Sequence, residues 1–378
     1  MKIITAGLLT AVALGAASAQ AAEAQRSRFG ALKDGTAVDS VTLSNSSGVK
    51  ARVVAWGAML QSLVVPDRHG KGADIVLSYP DMTGYQEKPQ FFGATVGRFA
   101  NRIAGAAFTL DGQKYTLAKN DGANTLHGGV HGFDKQLWTI SEVKSGPLAS
   151  VTLTRTSPDG EEGYPGTLKV SVTYALDQQN RLTVTYAATT DKPTVVNLSN
   201  HALFNLAGAA SGRSVMDQRL TIVADGYTPV DAGLIPTGEI KPVAGTPFDF
   251  RTPHAIGERV SDGADPQLVI GRGYDHNWVL KGGVSKTPRL AVRYEDPKSG
   301  RVMEILTTEP GIQFYSGNFL DATVVGVDHT IYRQGDGIAL EPQHFPDSPN
   351  QPSFPNTRLD PGQTYRHVAI YRFSTTPR

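Results

Sequence analysis

The sequence predicts an all-β protein, built as one large antiparallel domain of stacked sheets. Three observations carry that expectation. Stretches with strict apolar/polar alternation, rich in β-branched and aromatic residues, recur between turn signals. Glycine (40) and proline (23) make up about a sixth of the chain, which points to many turns. Beyond the N-terminal apolar run, no window of a dozen residues has a convincing helical period.

The chain opens with a leader. Met1-Lys2 is a minimal positive region, Ile3 to Ala17 is apolar and uncharged, and Ala17-Ser18-Ala19 and Ala19-Gln20-Ala21 fit the small-x-small cleavage pattern. Residues 1–21 therefore read as a secretory signal peptide. The run is short for a membrane span and no stop-transfer pattern follows, so the expected product is periplasmic or secreted, with no membrane attachment after cleavage.

The elements then follow in order. Phe108 to Leu110 and Gln113 to Leu117 flank Asp111-Gly112, whose residue types suit the positive φ angles of a type I′ hairpin turn. Ser150 to Thr156 alternates. Thr167 to Leu176 and Arg181 to Ala188 form a hairpin across Asp177-Gln178-Gln179-Asn180. Arg289 to Tyr294 and Arg301 to Thr307 form another across Asp296 to Gly300, and Tyr365 to Ser374 is a closing strand. No internal repeat and no Pro/Ser/Gly linker divides the chain, so a single domain from Ser27 to Thr376 is expected.

Composition excludes several function classes. Lys and Arg total 36 against 35 Asp and Glu, and leader cleavage would remove Lys2 and no acid, leaving zero formal charge. A nucleic-acid partner would call for a basic surplus. The absence of cysteine rules out disulfides, thiolate metal sites and a cysteine nucleophile. No phosphate-cradling loop, dinucleotide fingerprint or Gly-x-Ser-x-Gly elbow is present. His127 and His131 have the spacing of helical zinc ligands, but Gly128-Gly129 between them argues against a helix. No cofactor and no metal are expected.

Five polar clusters lack an obvious packing reason. Gly97 to Gly105 carries Arg98, Asn101 and Arg102, which can fork hydrogen bonds to vicinal hydroxyls. Asn124 to Gly129 sets His127 beside two glycines. Val195 to Leu206 places Asn197, Ser199 and His201 on one face of an expected strand. Gly271 to Trp278 alternates charged, aromatic and amide residues. Ala339 to Pro346 carries Glu341, read as the end of an apolar strand because proline follows; a partly desolvated carboxylate there can serve as a base. His201 or His127 is the candidate acid. Phe99, Trp138, Tyr274, Trp278 and Phe345 are candidate sugar-stacking faces. This inventory suits proton transfer on a neutral polyol.

Taken together, Gly97-Arg98-Phe99-Ala100-Asn101-Arg102-Ile103, Asn124-Thr125-Leu126-His127-Gly128-Gly129 with Gly132-Phe133-Asp134-Lys135, Asn197-Leu198-Ser199-Asn200-His201, Tyr274-Asp275-His276-Asn277, Gly311 to Asn318 and Glu341-Pro342-Gln343-His344-Phe345-Pro346 resemble the galactose mutarotase (aldose 1-epimerase) family. The resemblance implies a β-supersandwich with the sugar in a cleft on a concave face. It implies cofactor-free interconversion of α and β anomers of aldohexoses such as glucose and galactose, by a monomer or homodimer. Glu341 matches the general base and His201 the general acid; Asn101, Arg102, His127, Asp275 and Gln313 match substrate-binding positions, with Arg98 a weaker candidate than Arg102. One departure is Leu203, where the family usually has an aromatic residue, and this puts the preferred sugar in question. A non-catalytic sugar-binding module, and a carbohydrate-cleaving enzyme using Glu341 with Asp275, are the alternatives.

Overall fold

The computed structural model describes residues 21–377. The leader expected over residues 1–21 thus falls, but for Ala21, outside the described residues. The first strand, Glu23–Ala31, starts ahead of Ser27 and opens a five-stranded sheet with Ala37–Ser44, Lys50–Val54, Met59–Pro66 and Gly72–Asp74.

Two larger sheets form the body. The nine-stranded sheet runs in the order Thr139–Lys144, Leu148–Ser157, Leu168–Asp177, Arg181–Thr190, Tyr365–Thr375, Arg301–Thr307, Arg289–Glu295, Arg219–Ile222, His254–Ala255. The six-stranded sheet runs Leu203–Phe204, Ile338–Gln343, Gly311–Tyr315, Asp275–Leu280, Ala224–Thr228, Lys241–Pro242. Every pairing in both is antiparallel. The hairpins expected at 108–117, 167–188 and 289–307 form, and Asp111 (φ 51°) and Gly112 (φ 77°) take the positive φ pair of the primed turn. The α-helices among the described residues, Met82–Glu87 and Pro266–Gly271, are six residues each and too short to leave a helical period to read.

The three sheets share one apolar core. Val41, Leu43 and Val53 of the five-stranded sheet, Val151, Tyr174 and Val184 of the nine-stranded sheet, and Trp278, Ile312, Phe314 and Leu340 of the six-stranded sheet are all buried in it. Period-2 alternation then fixes the other face of the six-stranded sheet. With Trp278, Ile312, Phe314 and Leu340 in the core, the odd-numbered neighbours Asp275, Asn277, Gln313, Tyr315, Glu341 and Gln343 point away from it.

That second face is covered by loops, one of them anchored by Arg98. Its guanidinium, buried, donates to the carbonyls of Pro165, Gly166, Ser157 and Pro158 and to Ser157 Oγ, at 2.6–3.2 Å. Burial depresses its pKa to about 10. Removing the side chain leaves these carbonyls unpaired inside the protein. Arg98→Met should lower unfolding stability by about 3 kcal/mol, read from urea denaturation; a loss under about 0.5 kcal/mol would refute this anchoring role.

Candidate active site

The polar face of the six-stranded sheet and its covering loops enclose a cavity of about 280 Å³. Asn101, Arg102, His127, His201, Asp275 and Glu341 line it, with Phe91, Tyr315 and Leu203 as apolar wall. Six of the seven sequence-predicted residues therefore meet in one place. Gln313 sits one layer back, its Nε2 donating to Asp275 Oδ1 at 2.8 Å.

Glu341 lies inside the strand Ile338–Gln343, which corrects the strand-end reading of the sequence. Pro342 is tolerated there for a specific reason. Its carbonyl accepts from Ser199 Oγ at 2.8 Å, so its missing N–H points toward the 197–201 segment, which pairs with Thr95–Val96 and forms no backbone ladder with this strand.

That segment is also not the continuous strand expected. It breaks into Thr194–Val195, Ser199–Asn200 and Leu203–Phe204. Its shared face survives because side chains replace the ladder. The Asn197 amide exchanges hydrogen bonds with the His344 backbone (3.0 and 3.2 Å), and Ser199 bonds Pro342. The Leu203↔Ala339 pairing, extended by two residues, sets His201 opposite Glu341. His201 Nε2 and Glu341 Oε1 are 3.8 Å apart, too far for a hydrogen bond and close enough to share a small ligand.

His127 comes from the other side. Its φ is 51°, and Gly128 follows at φ 92°, where a Cβ would sit 1.9 Å from Gly97 O. The Asn101 N–H donates to His127 Nδ1 at 3.1 Å. Nδ1 is thus an acceptor, and Nε2 of the neutral ring carries the proton toward the cavity. Phe91 packs against both imidazoles, with centroids 4.8 Å from His127 and 5.7 Å from His201. Arg102 Nε bonds Asp121 at 2.8 Å, and its Nη1 lies 3.9 Å from Asp275 Oδ2.

Burial dominates the electrostatics. It holds the Glu341 carboxyl well above the usual range; Asp275 pushes the same way and Arg102 opposes. Burial pushes His201 down to about 4 and His127 well below its usual value. Burial thus disfavours the charged form of both members of the facing pair His201 and Glu341.

Ligand atoms of His127, His201 and Glu341 all lie within 4.8 Å of one another, a two-histidine, one-carboxylate set that could be taken for a metal site. The tautomer of His127 does not fit one. Coordination through Nε2 would put a proton on Nδ1, facing the Asn101 N–H.

Two expectations fail here. Arg98 does not reach the cavity. The proposed stacking aromatics Phe99, Trp138, Tyr274, Trp278 and Phe345 are buried and do not line it. The aromatic wall is instead Phe91, Phe92, Tyr315 and Phe319. Tyr315 was readable from its i, i+2 relation to Gln313; Phe91 (φ 58°) and the Arg102 partner Asp121 lie in loops with no periodic signal.

Comparisons with known proteins agree with this geometry. A family model described as Aldose 1-epimerase matches residues 39–372. Human galactose mutarotase is 46% identical over 353 residues, covering 93% of this chain and 99% of that protein. The aldose 1-epimerase of Escherichia coli K12 is 40% identical over 343 residues, covering 90% and 96%. The crystal structure of an aldose epimerase homologue from C. elegans superposes with a TM-score of 0.80 at 33% identity, covering 88% and 98%. A histidine facing a buried glutamate across a sugar-sized cavity, on a three-sheet β fold matched along nearly its whole length, makes this chain a member of the aldose 1-epimerase family.

Proposed function

We propose that the cavity interconverts the α and β anomers of an aldohexose such as glucose or galactose. The observation that carries this reading is the His201–Glu341 gap of 3.8 Å in a buried, hydroxyl-binding pocket. Mutarotation needs one acid and one base flanking the C1–O5 unit. Glu341 as carboxylate takes the C1 hydroxyl proton while His201 as imidazolium protonates the ring oxygen. The C1–O5 bond breaks to give the aldehyde. Rotation about C1–C2 presents the other carbonyl face, and the ring recloses with both proton transfers reversed.

The proton count suits this cycle. With burial disfavouring charge on both groups, one proton passed from Glu341 to His201 changes no net charge. Substrate binding can therefore reach the reacting form without proton exchange with solvent. His127 Nε2–H is a donor to a sugar oxygen, and Asp275, Arg102 and Asn101 offer partners to the remaining hydroxyls. The carbohydrate-cleaving alternative gains no support, because Asp275 is engaged by Gln313 and faces Arg102.

The apolar run and small-x-small sites of residues 1–21 support export to the periplasm or beyond, and the neutral composition supports a sugar rather than nucleic acid as partner. Among the described residues, no helix is long and apolar enough to cross a membrane. Mass spectrometry of protein recovered outside the cytoplasm should find the leader removed; an intact Met1 to Ala21 there would contradict cleavage.

Polarimetry of fresh α-D-glucose and α-D-galactose tests the activity. Glu341→Gln and His201→Asn should each lower turnover at least about a hundredfold with the fold intact; near-wild-type rates in both would sink the role assignment. The pH profile of kcat/KM should be bell-shaped. On the acid side, activity falls as His201, depressed to about 4, takes up a second proton. On the alkaline side it falls as the shared proton leaves Glu341, above the ordinary carboxylate range. An acid limb centred near the ordinary histidine value of about 6.5 would contradict the buried neutral imidazole.

A further inference from the structure

The polar face of the six-stranded sheet does not end at the cavity. The pairings Gln313↔Glu341, Asn277↔Gln313 and Gly311↔Gln343 continue it behind Glu341 as a row of amides. All four polar residues are buried. Six of their side-chain atoms have no hydrogen-bond partner among the described residues: Glu341 Oε2, Gln313 Oε1, and both polar atoms of Asn277 and of Gln343. Buried amides left without partners would cost about 1–3 kcal/mol per group, and chains rarely tolerate several side by side. Gly311 lets Asn277 and Phe345 pack close against the strand: a Cβ there would sit 2.3 Å from Asn277 Oδ1 and 2.9 Å from Phe345 Cδ1.

We propose that Asn277, Gln313 and Gln343 bind ordered water in a buried row behind Glu341, and that this row is the hydrogen-bond support of Oε2. The inference rests on the mutarotase reading for its functional half. Glu341 alternates between carboxylate and acid in every turnover. A fixed arginine would favour only the carboxylate, and a second carboxylate only the acid. Amides and water both donate and accept, so the row answers either state by turning a water. Asn277 and Gln343 are positioning residues, since neither lines the cavity. The charged and titratable groups facing Glu341 from the cavity side are His201, His127, Asp275, Arg102, Asp121 and Tyr315, and Tyr371 interacts with it from the core.

Two measurements test this. A high-resolution crystal structure of the wild-type protein should show water within hydrogen-bond distance of Glu341 Oε2 and of the Asn277 or Gln343 amide. Direct pairing of the amides with one another, and no water at Oε2, would overturn the row. In polarimetry, Gln343→Leu should lower kcat about tenfold with KM little changed. It should also move the alkaline limb of the pH profile upward, because a hydrogen bond to the charged carboxylate is stronger than one to the neutral acid and its loss falls mainly on the carboxylate. Gln343→Asn, which keeps an amide and leaves space for water, should recover most of the rate. A folded Gln343→Leu with wild-type kcat and pH profile would refute the positioning role. If Gln343→Leu does not fold, the wild-type water positions decide. Wild-type protein that fails to mutarotate sugars would overturn the activity reading and leave the water result standing on its own.

Discussion

The architecture of this protein hangs on one sheet that must satisfy two incompatible environments at once. In the strands Asp275–Leu280, Gly311–Tyr315 and Ile338–Gln343, alternate residues enter an apolar core and a polar cavity. Trp278, Ile312, Phe314 and Leu340 secure the first by removing large apolar surfaces from water. Because the period of a strand is two, that burial dictates where Asp275, Gln313 and Glu341 point. A one-residue slip would drive a carboxyl into the core and an aromatic ring into the cavity. The rigidity of the site is therefore a by-product of packing on its far side.

His201 and Glu341 come from chain segments far apart in sequence, and their spacing needs its own device. The Leu203↔Ala339 pairing sets the register, and the Asn197 and Ser199 side chains extend it where the backbone ladder stops. Leaving that ladder open has a chemical use. The 3.8 Å between His201 and Glu341 is wider than a hydrogen bond, so the two groups are held facing each other without neutralising each other. Desolvation disfavours charge on both groups, and a hemiacetal, which has an acidic hydroxyl and a basic ring oxygen on one carbon, offers a partner to a carboxylate and to an imidazolium at once.

Much of this could be read from the sequence, and the misreadings have physical causes. The hairpins were legible because alternation and turn chemistry are local: Asp111-Gly112 needs only its own two residues to specify the turn. Asn101, Arg102, His127, His201, Asp275 and Glu341 were legible as polar residues without a packing reason, and as motifs in the order of a known family. The sequence places Glu341 at a strand end because proline usually marks one, and the side-chain seam that accommodates Pro342 is a tertiary fact. Tyr274 and Trp278 alternate with Asp275, so they lie on the opposite face and are not sugar platforms. Parity along the strand would have removed them. Phe91 and Asp121 owe their places to loop geometry, and a sequence carries no period for that. Arg98 and Arg102 differ by four residues and go to different fates, one to the carbonyls of the 157–166 segment and one to the cavity.

The hydrogen bond from the Asn101 N–H to His127 Nδ1 has a bearing on how the site can change over time. The donor belongs to the main chain, so the orientation of the imidazole proton is inherited from the path of the backbone and not from any neighbouring side chain. Substitutions around His127 can reshape the wall of the cavity and the choice of sugar while the ring goes on presenting the same face. Among single substitutions at position 101, proline alone would remove that donor. The proton-bearing edge of the site is thereby insulated from most of the drift by which relatives of this chain come to differ.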